Sequence, residues 1–220
     1  MTLTMPEPEP LEFSEVVNRG RLLIEDIVSN ISKVVPLAAA RTAYWHPTGF
    51  IVLNLQDVDG LGLVRLHIWS RDRRTKRRGN PETHSHVFHL TSFVLKGKYV
   101  EHQFREVPSE TGEFFGYQVI PPTGDGIDRV VPDGSRCDLD LVAVEETDAG
   151  KFHNLPAGVF HRTEIQEGET CATIALLSRP QPGMLDRLVG PENHSGIEGE
   201  RLPVDRRTLA AALLEIGIKI

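Results

Sequence analysis

The hydrophobic pattern divides the chain into a helical start, a long β-rich middle and a helical end. Apolar residues recur near helical spacing over residues 13 to about 35, which predicts a helix capped by Ser14 despite Gly20. A closing helix is predicted over residues 208–218. Short runs rich in β-branched or aromatic residues, broken by Gly, Pro, Asn and Asp, predict strands between them. These runs are residues 50–55, 61–69, 87–104, 114–120, 139–144, 159–165 and 171–177.

Strands at this spacing imply a sandwich or barrel, and a chain of 220 residues with 40% apolar content can bury a real core. We expect a flexible Pro/Glu arm over residues 1–10 and a single domain over residues 11–220. Residues 121–136 are rich in Gly, Asp and Pro and predict a long hairpin loop. Residues 189–203, which include His194, predict an irregular connection to the last helix.

Composition narrows the functional classes. A formal charge of -7 argues against a general nucleic-acid binder. The lack of a long apolar run and of a basic, apolar N-terminus argues against a membrane span and a signal peptide, so a cytoplasmic location is expected. Cys137 and Cys171 do not make a disulfide framework in a chain of this size and are expected to be reduced thiols.

Two separated segments carry candidate metal ligands. His84 and His86 are one residue apart, so on a strand both imidazoles project to the same side. His161 follows a Pro-Ala-Gly turn and can supply a third imidazole from a second strand. Three neutral imidazoles leave open positions on a divalent metal for substrate or oxygen. The alternative is that these histidines are ordinary barrel residues.

The two segments resemble the motifs of the cupin superfamily. The first has an H-x-H pair between Gly79 and Gly97, and residues 150–161 fit the second, G-x5-P-x-G-x2-H. The resemblance implies a mainly β fold, the double-stranded β-helix or cupin jelly-roll barrel, with an N-terminal and a C-terminal flanking helix. Leu90 and Thr91 stand where many cupins carry a ligating Glu, so a carboxylate ligand is not expected. His89 is expected on the opposite face of a regular strand, although a bulge could return it to the metal.

Within the cupins, the chain resembles the thiol dioxygenases of the cysteine dioxygenase type. The similarity rests on L-G-L-V-R-L-H-I-W at residues 61–69, H-R-T-E from His161 and C-A-T-I-A-L-L-S-R-P from Cys171. It implies Fe(II), with Ni, Mn or Zn as alternatives, held by His84, His86 and His161. It also implies O2 and a small-molecule substrate as partners.

The chain departs from that family at the positions that would contact the substrate. The family's Ser, His and Tyr on the strand after the third ligand align with Thr173, Ala175 and Leu177, and Arg41 and Arg65 are only loose matches for its substrate-binding arginine. The resemblance therefore implies a shared metal site with a different substrate.

Other candidate site residues lie on the strands near the histidines. His153 is the candidate catalytic group, as a proton carrier or a hydrogen-bond partner of substrate; the alternative is an imidazole bonded to a backbone carbonyl. Arg162, Tyr99 and Thr173 are candidate substrate contacts, with barrel packing as the alternative for Tyr99.

The segment R-D-R-R-T-K-R-R at residues 71–78 directly precedes the H-x-H strand. It could line the mouth of the site and attract an anionic substrate, or form a solvated surface loop.

Three functions remain open. The first is a mononuclear non-heme iron dioxygenase acting on a small polar or sulfur-containing metabolite. The second is an isomerase, lyase or decarboxylase in which the metal acts as a Lewis acid. The third is a ligand-binding cupin without turnover. None of them requires nucleic acid or a membrane, and each is compatible with a homodimer.

We predict that free L-cysteine is a poor substrate, because Thr173, Ala175 and Leu177 lack the imidazole and phenol that bond a small amino acid. Oxygen uptake by the iron-reconstituted protein with L-cysteine, cysteamine and 3-mercaptopropionate, with products identified by mass spectrometry, tests this. Fast stoichiometric formation of cysteine sulfinic acid would contradict it.

Overall fold

The computed structural model describes residues 10–121 and 127–220, which form two antiparallel sheets and three helices, so the predicted mainly β fold is confirmed. Residues 1–9 of the predicted arm lie outside the described residues. The helices are α1 Phe13–Ser29, α2 Ile31–Ala39 and α3 Arg206–Glu215. The strands are β1 Tyr44–Trp45, β2 Ile51–Val58, β3 Gly62–Trp69, β4 Thr83–Ser85, β5 Leu90–Lys96, β6 Lys98–Pro108, β7 Phe114–Ile120, β8 Ile127–Asp148, β9 Phe152–Leu155, β10 Phe160–Glu164, β11 Cys171–Ser178, β12 Arg187–Gly190 and β13 Ile197–Glu200.

The sheet order brings the two histidine segments side by side. One sheet has the order β1-β2-β3-β11-β5-β9, and the other has the order β13-β8-β6-β10-β4-β12-β7, with β8 also paired to β7. β4, from the first segment, therefore lies directly beside β10, from the second. Strands distant in sequence are neighbours in both sheets.

The six-stranded sheet has two different faces because side chains alternate along its strands. On β3, Val64, Leu66 and Ile68 are fully buried in the main hydrophobic core. The intervening Arg65 and His67 line a cavity on the opposite face. β11 follows the same rule, with Ile174 and Leu176 among its core residues. One face of this sheet thus packs against the helices, and the other carries functional groups.

α1 covers the core face of this sheet. Its buried positions Val16, Gly20, Ile24 and Ile27 recur at helical spacing and face β5 and β11. A Cβ added at Gly20 would lie 2.8 Å from Leu176 Cδ2 and 3.3 Å from Thr91 Cβ. The glycine is therefore required for the close approach of helix and sheet rather than being a weak point in the helix.

The predicted helix over residues 13–35 is divided in two. Asn30 has φ -111° and ψ 17°, outside the helical region, and its amide bonds back to Asp26 and Ile27. Glu12 with extended dihedrals, not Ser14, is the N-cap residue. The closing helix begins earlier than predicted because Asp205 caps it by accepting a 2.9 Å bond from the Thr208 amide.

The predicted loop at residues 121–136 is wrong for residues 127–136, which belong to β8, and residues 122–126 lie outside the described part. Within residues 127–136, the segment 129–132 and Arg136 pair with β7, and a register shift between Phe115 and Tyr117 accommodates the residues between Pro132 and Arg136. The predicted irregular connection at residues 189–203 likewise contains the end of β12 and all of β13. Long-range pairing overrides local composition at both places.

Cys137 and Cys171 are free and buried, as predicted. In the described ranges, no helix combines the length and apolar character needed to cross a membrane.

Replacing Gly20 by Val should lower the free energy of unfolding by about 1–3 kcal/mol, because the added atoms collide with Leu176 in a packed core. Urea denaturation followed by circular dichroism measures this. Asn18→Val, at an exposed position of the same helix, is the matched control and should change stability by about 0.5 kcal/mol or less. Equal effects of the two substitutions would show that Gly20 is not a packing requirement.

Candidate metal centre and cavity

The pairing of β4 with β10 brings three imidazoles together. His161 lies directly opposite His84 in the ladder, and their ring centroids are 4.3 Å apart. His86 follows β4, and its ring centroid lies 4.6 Å from that of His84 and 5.1 Å from that of His161. One nitrogen from each ring lies within 4.8 Å of the others. The predicted grouping of these histidines is confirmed as a cluster that could hold a metal ion.

The hydrogen bonds of two rings direct their free nitrogens into the cluster. His84 Nδ1 lies 2.7 Å from the Glu82 carbonyl oxygen, and His161 Nδ1 lies 3.1 Å from the Val159 carbonyl oxygen. A carbonyl only accepts, so each Nδ1 carries the proton and donates it. Each Nε2 is then left with a lone pair. This is the tautomer in which an imidazole binds a metal.

The third ring completes a donor set that fits a divalent cation. His84 Nε2 and His86 Nε2 are 3.1 Å apart, close enough for both to lie about 2.1 Å from one ion. Asp186 Oδ1 lies 3.8 Å from His86 Nδ1 and can orient that ring. Burial lowers the pKa of all three histidines, so they are neutral and ready to coordinate.

The cluster opens into a cavity of about 490 Å³. Apolar side chains form part of its wall, including Phe50, Trp69, Phe88 and Leu90. The predicted row of Thr173, Ala175 and Leu177 also lines it. This volume suits a small metabolite, and the apolar wall can exclude water around it.

Three cationic or hydrogen-bonding side chains line the same cavity without belonging to the metal cluster. Arg65 is positioned by a 3.1 Å bond from its Nε to Asn54 Oδ1. His46 Nδ1 accepts from the Thr48 amide at 3.3 Å, which leaves an N–H on Nε2. Burial lowers the pKa of His46, and it lowers that of His67 to about 3, so both are neutral. These groups favour an anionic ligand.

A buried acid lies in the cavity wall. Glu101, 2% exposed, has Oε1 3.0 Å from His153 Nε2. Thr163 Oγ1 donates to Glu101 Oε2 at 3.3 Å. Burial opposes ionisation of Glu101, but His153, His161 and the Thr163 hydroxyl together outweigh it and lower the pKa of the carboxyl. Burial likewise opposes protonation of His153, but Glu101 and Glu145 together raise its pKa. Glu101 and His153 thus form a buried ion pair.

His153 itself lies behind Glu101, and the cavity is lined by Glu101 rather than by the imidazole. The predicted alternative was an imidazole bonded to a backbone carbonyl. The imidazole of His153 instead contacts the carboxylate of Glu101. Its role as a proton carrier stays a prediction, and any link to substrate runs through Glu101.

The predicted substrate contacts occupy different environments. Thr173 and Tyr99 line the cavity, and Tyr99 Oη lies 3.4 Å from Ser92 Oγ. Burial raises the pKa of Tyr99, so the phenol is neutral. Arg162 borders the cavity, but its guanidinium contacts His102 at 3.3 Å and Phe104, neither of which lines it.

His89 is not part of the metal cluster. Its Nδ1 accepts a 2.9 Å bond from the Ala157 amide, and its ring lies against Phe13. These contacts are consistent with the expected position of His89 away from the metal.

The basic segment at residues 71–78 is divided between the cavity and the surface. Arg74 and Lys76 line the cavity, whereas Arg71 and Arg73 are exposed. Arg74 donates to the carbonyl oxygens of Ser70, Ile165, Gln166 and Glu169, which fixes its position.

Glu215 at the end of α3 anchors the start of this segment. Its carboxylate accepts from Ser70 Oγ at 2.7 Å, from the Arg71 amide at 3.2 Å and from Thr170 Oγ1 at 2.6 Å. The segment that carries Arg74 and Lys76 into the cavity wall is thereby bonded to the last helix.

Sequence reasoning missed Glu101, His46 and His67. His67 alternates with Arg65 on a predicted strand, so period-two spacing was an available signal. Glu101 lies in a predicted strand without a motif around it, and His46 lies beyond a strand of two residues. Their approach to the metal cluster depends on long-range pairing.

Comparisons of the chain with protein-family models and with curated proteins find no match.

Replacing His84, His86 or His161 by Ala should each abolish retention of a divalent metal, since two imidazoles bind far more weakly than three. Elemental analysis after loading with Fe(II) or Co(II) and desalting measures the metal content. His89→Ala is the matched control and should keep the wild-type content, because His89 bonds Ala157 instead. A full metal complement in all three variants would contradict the assignment.

Proposed function

We propose that this protein is a metal-dependent enzyme of the cupin type, most concretely a three-histidine mononuclear non-heme iron dioxygenase acting on a small anionic or sulfur-containing metabolite. The observation that carries the proposal is the convergence of three neutral imidazoles on a cavity large enough for substrate. Four-ligand structural sites have no such opening, whereas catalytic sites keep positions for substrate.

The proposed double-stranded β-helix is supported by the sheet arrangement. The histidine segments lie on adjacent strands of one sheet, and the facing wall comes from β3 and β11 of the other. Both sheets contribute to one cavity, as a barrel of this type requires.

The substrate class follows from the polar groups around the metal cluster. Arg65 remains charged at neutral pH, and the neutral His46 offers an N–H. Tyr99 adds a neutral phenol. The thiol dioxygenases carry a His on the strand that corresponds to β11, where this chain has Ala175. His67, on the neighbouring strand β3, lies directly opposite Thr173. The cavity therefore keeps polar partners for an anion, supplied from different strands.

Bound Fe(II) would supply electrons to dioxygen and a positive charge that favours an anionic ligand. The protein's own residues would orient the substrate through Arg65 and exclude water through Phe50, Trp69 and Phe88. Asp186 would hold His86 in its ligating orientation.

Glu101 favours a second candidate function, a metal-dependent isomerase, lyase or decarboxylase. Such reactions need a proton-transferring side chain beside a Lewis-acidic metal, and Glu101 is an ionised carboxylate in the cavity wall. Oxygen separates the two functions: turnover at full rate without oxygen is compatible only with the second.

Screening the iron-loaded protein against small carboxylates and thiols should identify a substrate that drives oxygen uptake, measured with an oxygen electrode. Arg65→Gln should then raise KM about tenfold or more, because a charge-assisted bond to the substrate is lost. Arg105→Gln is the matched control, since Arg105 is exposed and pairs with Asp140. An unchanged KM in Arg65→Gln would contradict the proposed anion contact.

A further inference from the structure

We propose that Glu101 is the proton acceptor of the cavity and that His153, held between Glu101 and Glu145, is the positioning residue that keeps this acceptor oriented and ionised. The inference rests on the proposed metal centre and holds for either candidate reaction. It gives a function to the buried charges that the metal cluster does not use.

The position of Glu101 suits a base rather than a ligand. Glu101 lies opposite Thr163 in the ladder between β6 and β10, two residues along from His161. Residues two apart on a strand project to the same face, so the carboxylate shares a face with this imidazole. Glu101 is nevertheless outside the group of possible metal ligands. Its carboxylate therefore lines the same cavity as the metal cluster while remaining available to take a proton.

The two oxygens of Glu101 have different surroundings. Oε1 faces His153 Nε2 at 3.0 Å, in the interior. Oε2 lies 3.3 Å from Thr163 Oγ1, and Thr163 also lines the cavity. A hydroxyl can rotate its hydrogen away, so Oε2 is the atom that can receive a proton from a bound ligand.

Glu145 explains how the charges stay balanced after that transfer. When a ligand H–X bond breaks, the proton passes to Glu101 Oε2 and the electron pair stays on X, next to the metal. Glu101 becomes neutral, and an isolated buried imidazolium would be costly. Glu145 Oε2 lies 3.7 Å from the same Nε2, and Glu145 lies opposite Glu101 in the ladder between β6 and β8. His153 therefore keeps a counter-ion in both states.

A purely structural role is the competing explanation. His153 is on β9 of one sheet, and both carboxylates are on strands of the other, so the contacts also join the sheets. A test must therefore distinguish loss of the proton acceptor from loss of a contact that holds the two sheets together.

The test uses the full chain loaded with Co(II) and two probe ligands. 3-Mercaptopropionate arrives at neutral pH with a proton on sulfur that must leave on coordination, whereas azide arrives as an anion. Stopped-flow absorption of the cobalt centre gives both association rates, and metal content is measured for every variant.

In Glu101→Gln, which keeps the side-chain shape, the thiol should bind about 100-fold more slowly or worse, and azide should not be slowed. His153→Gln should slow thiol binding about tenfold, also without slowing azide. Glu101→Asp should restore part of the thiol rate. Glu146→Gln is the matched control, because Glu146, the neighbour of Glu145 on β8, pairs with Lys98 instead, and it should leave both rates unchanged.

A wild-type thiol rate in Glu101→Gln, or equal slowing of thiol and azide, would overturn the inference while leaving the metal centre intact. Wild-type cobalt protein that binds azide but not the thiol would also overturn it. Failure of the wild type to retain cobalt is a different result, because it contradicts the proposed metal function itself.

Discussion

The antiparallel pairing of β4 with β10 is the constraint on which the candidate site depends. It places His84 opposite His161 although the two residues are far apart in the sequence. A shift of one residue in a strand would turn its side chains to the other face. β12 pairs with the other edge of β4, where Leu188 lies opposite His84. The short strand is thus held on both edges, which compensates for its having few ladder bonds of its own.

The two faces of the six-stranded sheet allow stability and chemistry to be separated. The core face of β3 and β11 is covered by α1 and its neighbours and contains aliphatic side chains. The cavity face carries Arg65, His67 and Thr173, whose polar groups would weaken a dry core. Because the helices bury the first face, the second can keep an open volume. Gly20 contributes by letting the helix approach the sheet closely.

Much of this organisation could be predicted from local pattern. The spacing of His84, His86 and His161, the alternation on β3 and the row at Thr173, Ala175 and Leu177 follow from two-residue periodicity or short motifs. The break at Asn30 and the strand at residues 127–136 were missed, because a local conformation and a distant partner strand decide them. The Glu101–His153 pair was beyond local pattern for the same reason: its members lie on different sheets.

The carboxylate of Glu215 bonds the last helix to the segment that lines part of the cavity. It receives bonds from Ser70, Arg71 and Thr170, so the segment leading to Arg74 and Lys76 begins at a fixed point. Displacing these donors from α3 would break three hydrogen bonds to one carboxylate. The C-terminal helix, whose Leu209 and Leu213 are buried in the main core, therefore links this part of the cavity wall to that core.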